Sequence, residues 1–421
     1  MSQNGLIRLV ASPEHGVERR VKGASENIAA RGERIVRLEA CRGIAALVVV
    51  FHHIIAAFAP TVSGILAGTR TSDSLAGTVF FVAINGTGAV VLFFVLSGYV
   101  LTARFFANPD ADFMAIAALK RLPRLALLTT IVTFGSALLF LFGLYHFAEA
   151  SQVTGSEWLR RFALTDLPND FQPSLLRALA QGAWLTFTTG ESYLDSSLWT
   201  MAHELRGSIV VFVAAPFLVF VLRGRVVWLA LIFVCWIFRY ANLYMIAFIC
   251  GMAIAYYQRQ IFRLASPVTT AALLIIGLYC LGYVSPERDY MIFAKLAFWN
   301  PELASHPNFR IYVWTIGATS TIVAILQSPV ADRILNNKLG TIIGRLSFPI
   351  YLVHVPIICS ASCVAYLHLL PLIGRNAIFG TAVFTLILTI AVAWPLAWID
   401  VKWVRFLNAR IGALLRAAPG R

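Results

Sequence analysis

The chain has 421 residues, of which 59% are hydrophobic and only 13% are charged, and its mean hydropathy is +0.76. A soluble protein of this length could not bury so much apolar surface, so the composition predicts an integral membrane protein with several spans. The formal net charge of +14 comes mainly from short basic tracts between apolar runs, as topology signals do. No basic stripe with interleaved aromatic residues is present, so no nucleic-acid partner is expected.

Both ends of the chain are polar and basic. Residues 1–35 contain no apolar core of the kind that a signal peptide has, so we interpret them as a cytoplasmic tail. A transmembrane domain is expected over 36–403, followed by a second basic cytoplasmic tail at 404–421. The six cysteines form no CxxC pair and have no nearby cluster of ligands, so no metal site is predicted.

About ten apolar runs are candidates for membrane crossing, for which roughly 20 residues per helix are needed. The sequence therefore predicts an all-α fold, a polytopic membrane helix bundle of about ten transmembrane helices. The fifth and sixth runs are short, and only Arg239 and Tyr240 separate them. The predicted spans are 43–60, 79–103, 125–147, 197–222, 226–238, 240–257, 266–284, 310–327, 342–367 and 376–401.

One long connection, 148–196, lies between the third and fourth spans and carries six acidic residues against three arginines. Its stretch 174–187 is interpreted as an interfacial or re-entrant helix. Basic residues concentrate in every second connection, for example Lys120, Arg121 and Arg124 before the third span. The positive-inside rule then places both termini in the cytoplasm and the long connection outside.

Ionisable side chains inside the spans mark a candidate site, because at such depth they usually face a cavity or a pathway. Arg42 lies at the cytoplasmic mouth of the first span, and His53 is eleven residues further along the chain. On a helix they share a face and lie about 16 Å apart along the axis. His203 and Glu204 lie near the start of the fourth span, and His354 lies about halfway along the ninth.

A carboxylate inside a span needs a partner, and a histidine at similar depth is the natural one. We therefore expect Glu204 to pair with His53, directly or through water, and to fix the tautomer of a histidine that acts as a general base. His52, about a quarter turn away on the helix, is expected to be a supporting neighbour. For Ser97, which precedes Gly98 in the second span, close helix packing by small residues is the alternative to a functional role.

Six segments, in order along residues 36–400, resemble the signatures of acyltransferase family 3. These integral membrane acyltransferases modify surface glycans and related acceptors. The fourth segment departs from the family pattern at Thr200 and Met201, where the family has Ser and Leu, and no fused SGNH-hydrolase-type domain is seen. The segments are RLEACRGIAALVVVFHH, GAVVLFFVLSGYVLT, LKRLPRL, SLWTMAHELRGS, FICGMAIAYY and RLSFPIYLVHVPI.

The resemblance implies transfer of an acyl group, commonly acetyl, from cytoplasmic acyl-coenzyme A to a hydroxyl of a carbohydrate or glycolipid. The expected location is a bacterial inner membrane. The residues expected to be catalytic are His53, Glu204 and Arg42. Those expected to contact acyl-coenzyme A are Arg121, Arg124, Ser97 and Tyr99. Those expected to contact the acceptor are Trp199, His203, Tyr351 and His354.

Two other classes of protein use similar residues. A secondary transporter would also carry His, Glu and Arg near the midplane, but its expected internal repeat or pair of broken helices is not found in the sequence. The O-acyltransferases that act on lipids and proteins use a histidine in a long apolar helix with an upstream asparagine or aspartate. That class lacks the ordered segments of this chain.

Overall fold

The structure is a computed structural model that describes residues 13–167, 171–222, 227–296 and 301–416. Within these ranges it contains helices and no strand, so the predicted all-α class is confirmed. The α-helices, α1 to α20, are Pro13–Phe58, Pro60–Ser63, Gly86–Ala107, Ala111–Leu141, Phe147–Thr154, Glu157–Arg160, Leu175–Ala180, Thr186–Thr188, Trp199–Pro216, Val227–Ala241, Tyr244–Tyr256, Gln258–Arg263, Pro267–Leu281, Met291–Leu296, Pro301–Ser305, Pro307–Gln327, Pro329–Leu335, Lys338–Ile357, Cys363–Ile373 and Ala377–Arg416.

Short segments of other helix types join or extend these helices. The 3₁₀ segments are Ala67–Thr69, Val79–Ala83, Ser196–Leu198, Arg288–Tyr290 and Gly374–Asn376. The π-helical segments are Gln181–Leu185, Phe217–Val221 and Ile358–Ser362.

Six segments of the described chain are long and apolar enough to cross a bilayer, and α11 and α13 are shorter apolar helices. The last of the six contains α18, α19 and α20 and is far longer than one crossing needs. The number of crossings, about ten from the sequence, stays a prediction. The six segments are Val36–Phe58, Gly86–Ala107, Ala111–Leu141, Ser196–Val221, Pro307–Gln327 and Lys338–Ile411.

Side-chain caps determine where several central helices begin. The side chain of Asn85 accepts from the backbone N–H of Gly88 at the start of α3, so this helix begins at Gly86 and not at residue 79 as predicted. Asp110 caps α4 and Asn337 caps α18 in the same way. Asn and Asp are favoured at these positions because their oxygens satisfy N–H groups that have no partner within the helix.

Glycines allow the central helices to approach closely. A Cβ placed on Gly98 of α3 would lie 2.0 Å from the carbonyl oxygen of Phe248 in α11. A Cβ on Gly251 of α11 would lie 2.0 Å from the carbonyl oxygen of Val95 in α3. Small residues at this position therefore bring the two backbones into contact, as is common between membrane helices. For Gly98 the packing interpretation is correct, and it leaves Ser97 to face a different neighbour.

The long connection between α4 and α9 folds back onto the bundle through α5 to α8. The hydroxyl of Ser156 donates to the backbone oxygen of Ala56 in α1 at 2.7 Å. Thr133 of α4 donates to the backbone oxygen of Ala178 at 2.8 Å. The helix expected at 174–187 is present as α7, a π-helical turn and α8. This connection therefore contributes side chains to the interior of the protein.

One predicted boundary is wrong by a few residues, and the two predicted tails, which stay predictions, overlap helices. The break expected at Arg239 and Tyr240 comes after them, because α10 ends at Ala241 and α11 begins at Tyr244. The predicted C-terminal tail starts inside α20, which continues to Arg416, while residues 417–421 lie outside the described part of the chain. Likewise, residues 13–35 of the predicted N-terminal tail are the first turns of α1, and residues 1–12 are not described.

Candidate active site

A cavity of about 240 Å³ lies between α1, α3, α4, α9 and α18. Its charged lining residues are Glu39, Arg42, Arg121, Arg124 and Glu204. We call it the charged cavity. Three guanidinium groups against two carboxylates give it a formal charge of +1. An excess of positive charge in a partly enclosed space favours an anionic ligand.

Glu204 is held by an arginine and two serines. Arg121 Nη2 and Ser97 Oγ both donate to Glu204 Oε1, the serine at 2.6 Å. Arg121 Nε donates to Ser208 Oγ at 2.8 Å, and that hydroxyl donates to the backbone oxygen of Glu204 at 2.6 Å. The side chains of Arg121 and Glu204 are only 10% and 12% exposed. The carboxylate in this span therefore has its partner on α4.

A second cavity, of about 360 Å³, is lined by His52, His53, Trp158, Trp199 and segment 163–165, among others. We call it the histidine cavity. The ring of Trp158 stacks on His53, with the ring centres 5.1 Å apart and the planes inclined by 24°. None of the described residues that line this cavity is Asp, Glu, Lys or Arg. It is therefore polar without being charged.

A wall separates the two cavities at the start of α9. Trp199 lines the histidine cavity, whereas the next residue, Thr200, lines the charged cavity together with Tyr351. The hydroxyl oxygens of Thr200 and Tyr351 are hydrogen-bonded at 3.0 Å, and Tyr351 also donates to the backbone oxygen of Ser197 at 3.1 Å. Thr200 and Tyr351 are 2% and 6% exposed. These buried hydroxyls tie α9 to α18 between the cavities.

His53 has a different partner from the one expected. Its Nδ1 lies 2.8 Å from Nε2 of His354, which is fully buried in α18. The predicted direct hydrogen bond between His53 and Glu204 is wrong, because each of them is bonded elsewhere and they line different cavities. The physical reason is that Arg121 offers the carboxylate a full positive charge, which a neutral imidazole does not. Arg42 lies on the same helix as His53 but in the charged cavity.

Three other predicted residues are placed as follows. Tyr99 is buried and is not part of the lining of the charged cavity, although Ser97 is. His203 lines neither cavity. Its Nδ1 is hydrogen-bonded to the side chain of Asn242 at 2.9 Å. The expected contacts of Tyr99 with the donor and of His203 with the acceptor therefore have no support from the geometry. His52 has Nδ1 2.8 Å from the backbone oxygen of Ile84, so it joins α1 to the turn before α3.

Sequence reasoning missed two residues of these cavities. Glu39 precedes Arg42 by three positions, which on a helix places both on one face, so the spacing was a usable signal. Trp158 lies in the long connection and is 4% exposed against His53. No local pattern predicts that contact, because it depends on how the connection folds back onto α1.

The backbone beside Trp158 is strained. Phe162, Ala163, Leu164 and Asp166 have φ of 44°, 55°, 65° and 50°, in the left-handed region that residues with a Cβ avoid. Each such residue costs of the order of 1–2 kcal/mol. Arg161 donates to both carboxylate oxygens of Asp166 across this turn, and Phe162 is 1% exposed. The turn is held by packing and an ion pair, and it forms one side of the histidine cavity.

Asp195 lies at the end of the long connection, just before the span that contains α9. It is fully buried, and its Oδ1 accepts from the backbone N–H of Ser197 at 2.9 Å. Among the described residues, Oδ2 has no hydrogen-bond partner. Burial raises the pKa of this carboxyl to about 7. The adjacent Ser196 lines the histidine cavity, so below that pH a protonated Asp195 adds no charge to that region.

Residues 35–398 match the acyltransferase family 3 model, which is described as an acyltransferase domain. The chain belongs to this family. This family 3 acyltransferase is a multi-pass integral membrane protein, and the resemblance seen in its ordered segments is confirmed. Comparison with curated proteins gives no match, and neither does comparison with solved structures. Within the described residues of the acyltransferase, no group of three or more His, Cys, Asp or Glu is arranged to hold a metal ion.

Proposed function

We propose that this membrane acyltransferase transfers an acyl group, acetyl in the first instance, from acyl-coenzyme A to a hydroxyl of a carbohydrate or glycolipid. The donor's phosphates bind in the charged cavity and the acceptor binds in the histidine cavity. The observation that carries this proposal is the division of the site into an arginine-lined space and an uncharged space with a histidine. We place the enzyme in a bacterial inner membrane, with both termini and the charged cavity on the cytoplasmic side.

Arg42 and Arg124 are the donor-binding cations in this proposal. Both line the charged cavity, Arg42 half-buried and Arg124 exposed at its edge. Guanidinium groups match phosphate oxygens in charge and geometry. Arg121 is bonded to Glu204 and Ser208, so its role is to hold the cavity in shape as well as to add charge. Ser97, which donates to Glu204, positions the carboxylate and does not contact the donor directly.

The histidine cavity suits a neutral polyol. Trp158 and Trp199 supply aromatic surfaces for the apolar faces of a sugar ring, and Thr87, Ser192 and Ser196 supply hydroxyls. A binding site of this kind combines apolar walls with a few polar groups that orient the ligand. The absence of charged residues from the described lining favours a hydroxyl-bearing acceptor over an ionic one.

His53 is the proton acceptor of the proposed reaction. It takes the proton of the acceptor hydroxyl while the hydroxyl oxygen forms a bond to the thioester carbonyl carbon. The carbon–sulfur bond then breaks, and the departing thiolate takes the proton back from the imidazolium. Arg42 and His53 are about 16 Å apart along α1. The extended arm of the donor must therefore pass the wall at Thr200 and Tyr351, which opens when the donor binds.

The test uses membranes that contain the enzyme, labelled acetyl-coenzyme A and a panel of glycans and glycolipids. We expect acid-stable, base-labile label on a carbohydrate, and we expect it to be absent with the His53→Ala variant at equal membrane abundance. His368→Ala is the control, because that histidine is exposed on α19 and lies outside both cavities. Label transferred at the wild-type rate by His53→Ala would contradict the catalytic role. Transfer from succinyl-coenzyme A but not acetyl-coenzyme A would overturn the choice of acyl group.

A further inference from the structure

His53, His354 and the backbone oxygen of Tyr351 form a chain of hydrogen bonds. His53 Nδ1 lies 2.8 Å from His354 Nε2, and His354 Nδ1 lies 2.7 Å from the backbone oxygen of Tyr351. The centres of the two imidazole rings are 5.0 Å apart and their planes differ by 19°. With two nitrogens only 2.8 Å apart, the rings meet at their edges and do not stack face to face.

The acceptor at the end of this chain determines where each hydrogen lies. A carbonyl oxygen can only accept, so Nδ1 of His354 must carry a hydrogen and donate it to Tyr351. A neutral imidazole has a single N–H, so Nε2 of His354 accepts. Nδ1 of His53 is therefore the donor in the bond between the two histidines, and Nε2 of His53 keeps its lone pair.

We infer that His354 is a positioning residue that selects the tautomer of His53 in which Nε2 can accept a proton. This inference rests on the proposed function, in which His53 is the general base. It replaces two sequence-based expectations, one that His354 contacts the acceptor and one that Glu204 fixes the tautomer of His53. Glu204 is unsuited to that role because Arg121 and Ser97 occupy its carboxylate.

The charge state of His354 decides whether Nε2 of His53 is bare and can accept a proton or already carries one. His354 is 0% exposed, and its two bonded partners, a carbonyl oxygen and an imidazole, carry no negative charge. A buried cation without a counter-charge is strongly disfavoured, so His354 is neutral. A doubly protonated His354 would donate to Nδ1 of His53, and Nε2 of His53 would then carry the hydrogen and be unable to act as a base.

The hydrogen bond between His53 and His354 also matters after His53 has taken the proton of the acceptor hydroxyl. When His53 Nε2 takes the proton of the acceptor hydroxyl, Nδ1 remains a donor to His354 Nε2, and the bond now has a charged donor. Such bonds are roughly twice as strong as neutral ones. His354 therefore holds the ring orientation of His53 in the starting state and stabilises the imidazolium that forms.

The activity test compares two substitutions of His354. His354→Gln retains an acceptor oxygen close to the position of Nε2, whereas His354→Leu fills the space without one. We expect His354→Leu to lower kcat by about 10² while the KM of both substrates changes little. We expect kcat of His354→Gln to be at least tenfold higher than that of His354→Leu. His368→Leu, on the exposed face of α19, is the matched control. Equal losses in the Gln and Leu variants would show a packing role only and would overturn the inference.

A second measurement needs no turnover. ¹⁵N solid-state NMR of histidine-labelled protein in bilayers distinguishes a protonated ring nitrogen from a bare one, and His53→Ala identifies the signals of His53. We expect Nδ1 protonated and Nε2 bare in the wild type, and a mixture of tautomers in His354→Leu. Nε2-protonated His53 in the wild type, or an unchanged tautomer in His354→Leu, would refute the positioning role. The expected tautomers without any acetyl transfer would instead refute the proposed function.

Discussion

The charged cavity and the histidine cavity share three helices, α1, α3 and α9, but differ in the chemistry of their linings. α1 contributes Arg42 to the first and His53 to the second. In the charged cavity, a buried ion pair between Arg121 and Glu204 is surrounded by further charges. In the histidine cavity, none of the described lining residues is Asp, Glu, Lys or Arg, and His53 is bonded to another histidine. The separation keeps His52 and His53 away from the carboxylates and guanidinium groups of the charged cavity, which would otherwise bind them or change their protonation.

The largest effect should come from the histidine cavity. We expect His53→Ala to lower the rate of acyl transfer by about 10² to 10⁴, because it removes the proposed general base. His52→Ala should have a milder effect, since His52 bonds to backbone atoms before α3 and not to His354. Initial rates at equal membrane abundance check both variants. If His52→Ala lost as much activity as His53→Ala, the two residues would have to share the role.

The second effect concerns the stability of the charged cavity. Glu204→Gln leaves the buried guanidinium of Arg121 without its counter-charge, and breaking such a pair typically costs about 3–5 kcal/mol. We expect a clear fall in the Tm of the purified protein, measured in detergent by intrinsic fluorescence. Adding Arg121→Met to Glu204→Gln should restore part of that loss. Strictly additive losses in the double variant would show that the pair does not act as a unit.

Asp195 provides a pH test of the uncharged region. Its pKa is raised by burial from 3.8 to about 7, so the folded protein holds this proton more tightly than the unfolded chain does. The stabilisation is complete below pH 4 and is lost as the pH rises toward 7, at about 1.4 kcal/mol per pKa unit. We expect Tm to fall between pH 4 and pH 7, and we expect the fall to be smaller in Asp195→Asn. An identical pH dependence in the variant would assign the effect to another group.

Removing the side chain of Arg124 should weaken donor binding, and this effect should be smaller than those above. Arg124→Ala removes one of the cations of the charged cavity, and we expect the KM of acetyl-coenzyme A to rise about tenfold, or 1.4 kcal/mol, with little change in kcat. Lys120→Ala is the matched control, because Lys120 lies on the same helix but bonds to Asn408 outside the cavity. A KM that is unchanged in Arg124→Ala, with normal insertion, would leave this arginine as a topology signal only.

The smallest effect should come from the aromatic wall of the histidine cavity. Trp158→Leu removes the ring that stacks on His53, a contact of about 0.5–1.5 kcal/mol. We expect kcat/KM for the acceptor to fall by about two- to tenfold, while the KM of the donor stays the same. Saturation curves for both substrates provide the check. A change in the donor KM alone would mean that the two cavities are not separate binding sites.

Much of the charged cavity could be predicted from the sequence. Glu204 is a costly residue inside a predicted span, Arg42 lies at the mouth of the first span, and Arg121 and Arg124 lie in the basic tract before the third. The ordered family segments contain all four. That these four side chains meet in one cavity follows because ionisable side chains avoid the lipid and face the interior of the bundle. The all-α class was equally readable, because it depends on composition and on apolar runs long enough to cross a bilayer.

The partner of His53 could not be predicted in the same way. Helical periodicity gives the depth and face of a residue on its own helix, but not which neighbouring helix that face meets. The sequence analysis named Glu204 as the partner, whereas the packing of α1 against α18 brings His354 to His53. Trp158 escaped prediction because it comes from a connection that folds back over α1, a contact without any local signal.

The hydroxyl wall at Thr200 and Tyr351 has an electrical consequence for the cell. An enzyme with polar cavities at two depths of a membrane risks becoming a leak, since each charge that crosses 100 mV releases about 2.3 kcal/mol. At the wall, the hydroxyls of Thr200 and Tyr351 are buried and bonded to each other, which disfavours a file of water there. In the proposed reaction, a neutral thioester arm would displace them briefly, whereas a hydrated ion would lose its water to do so. The same two side chains would then insulate the bilayer during the proposed acyl transfer.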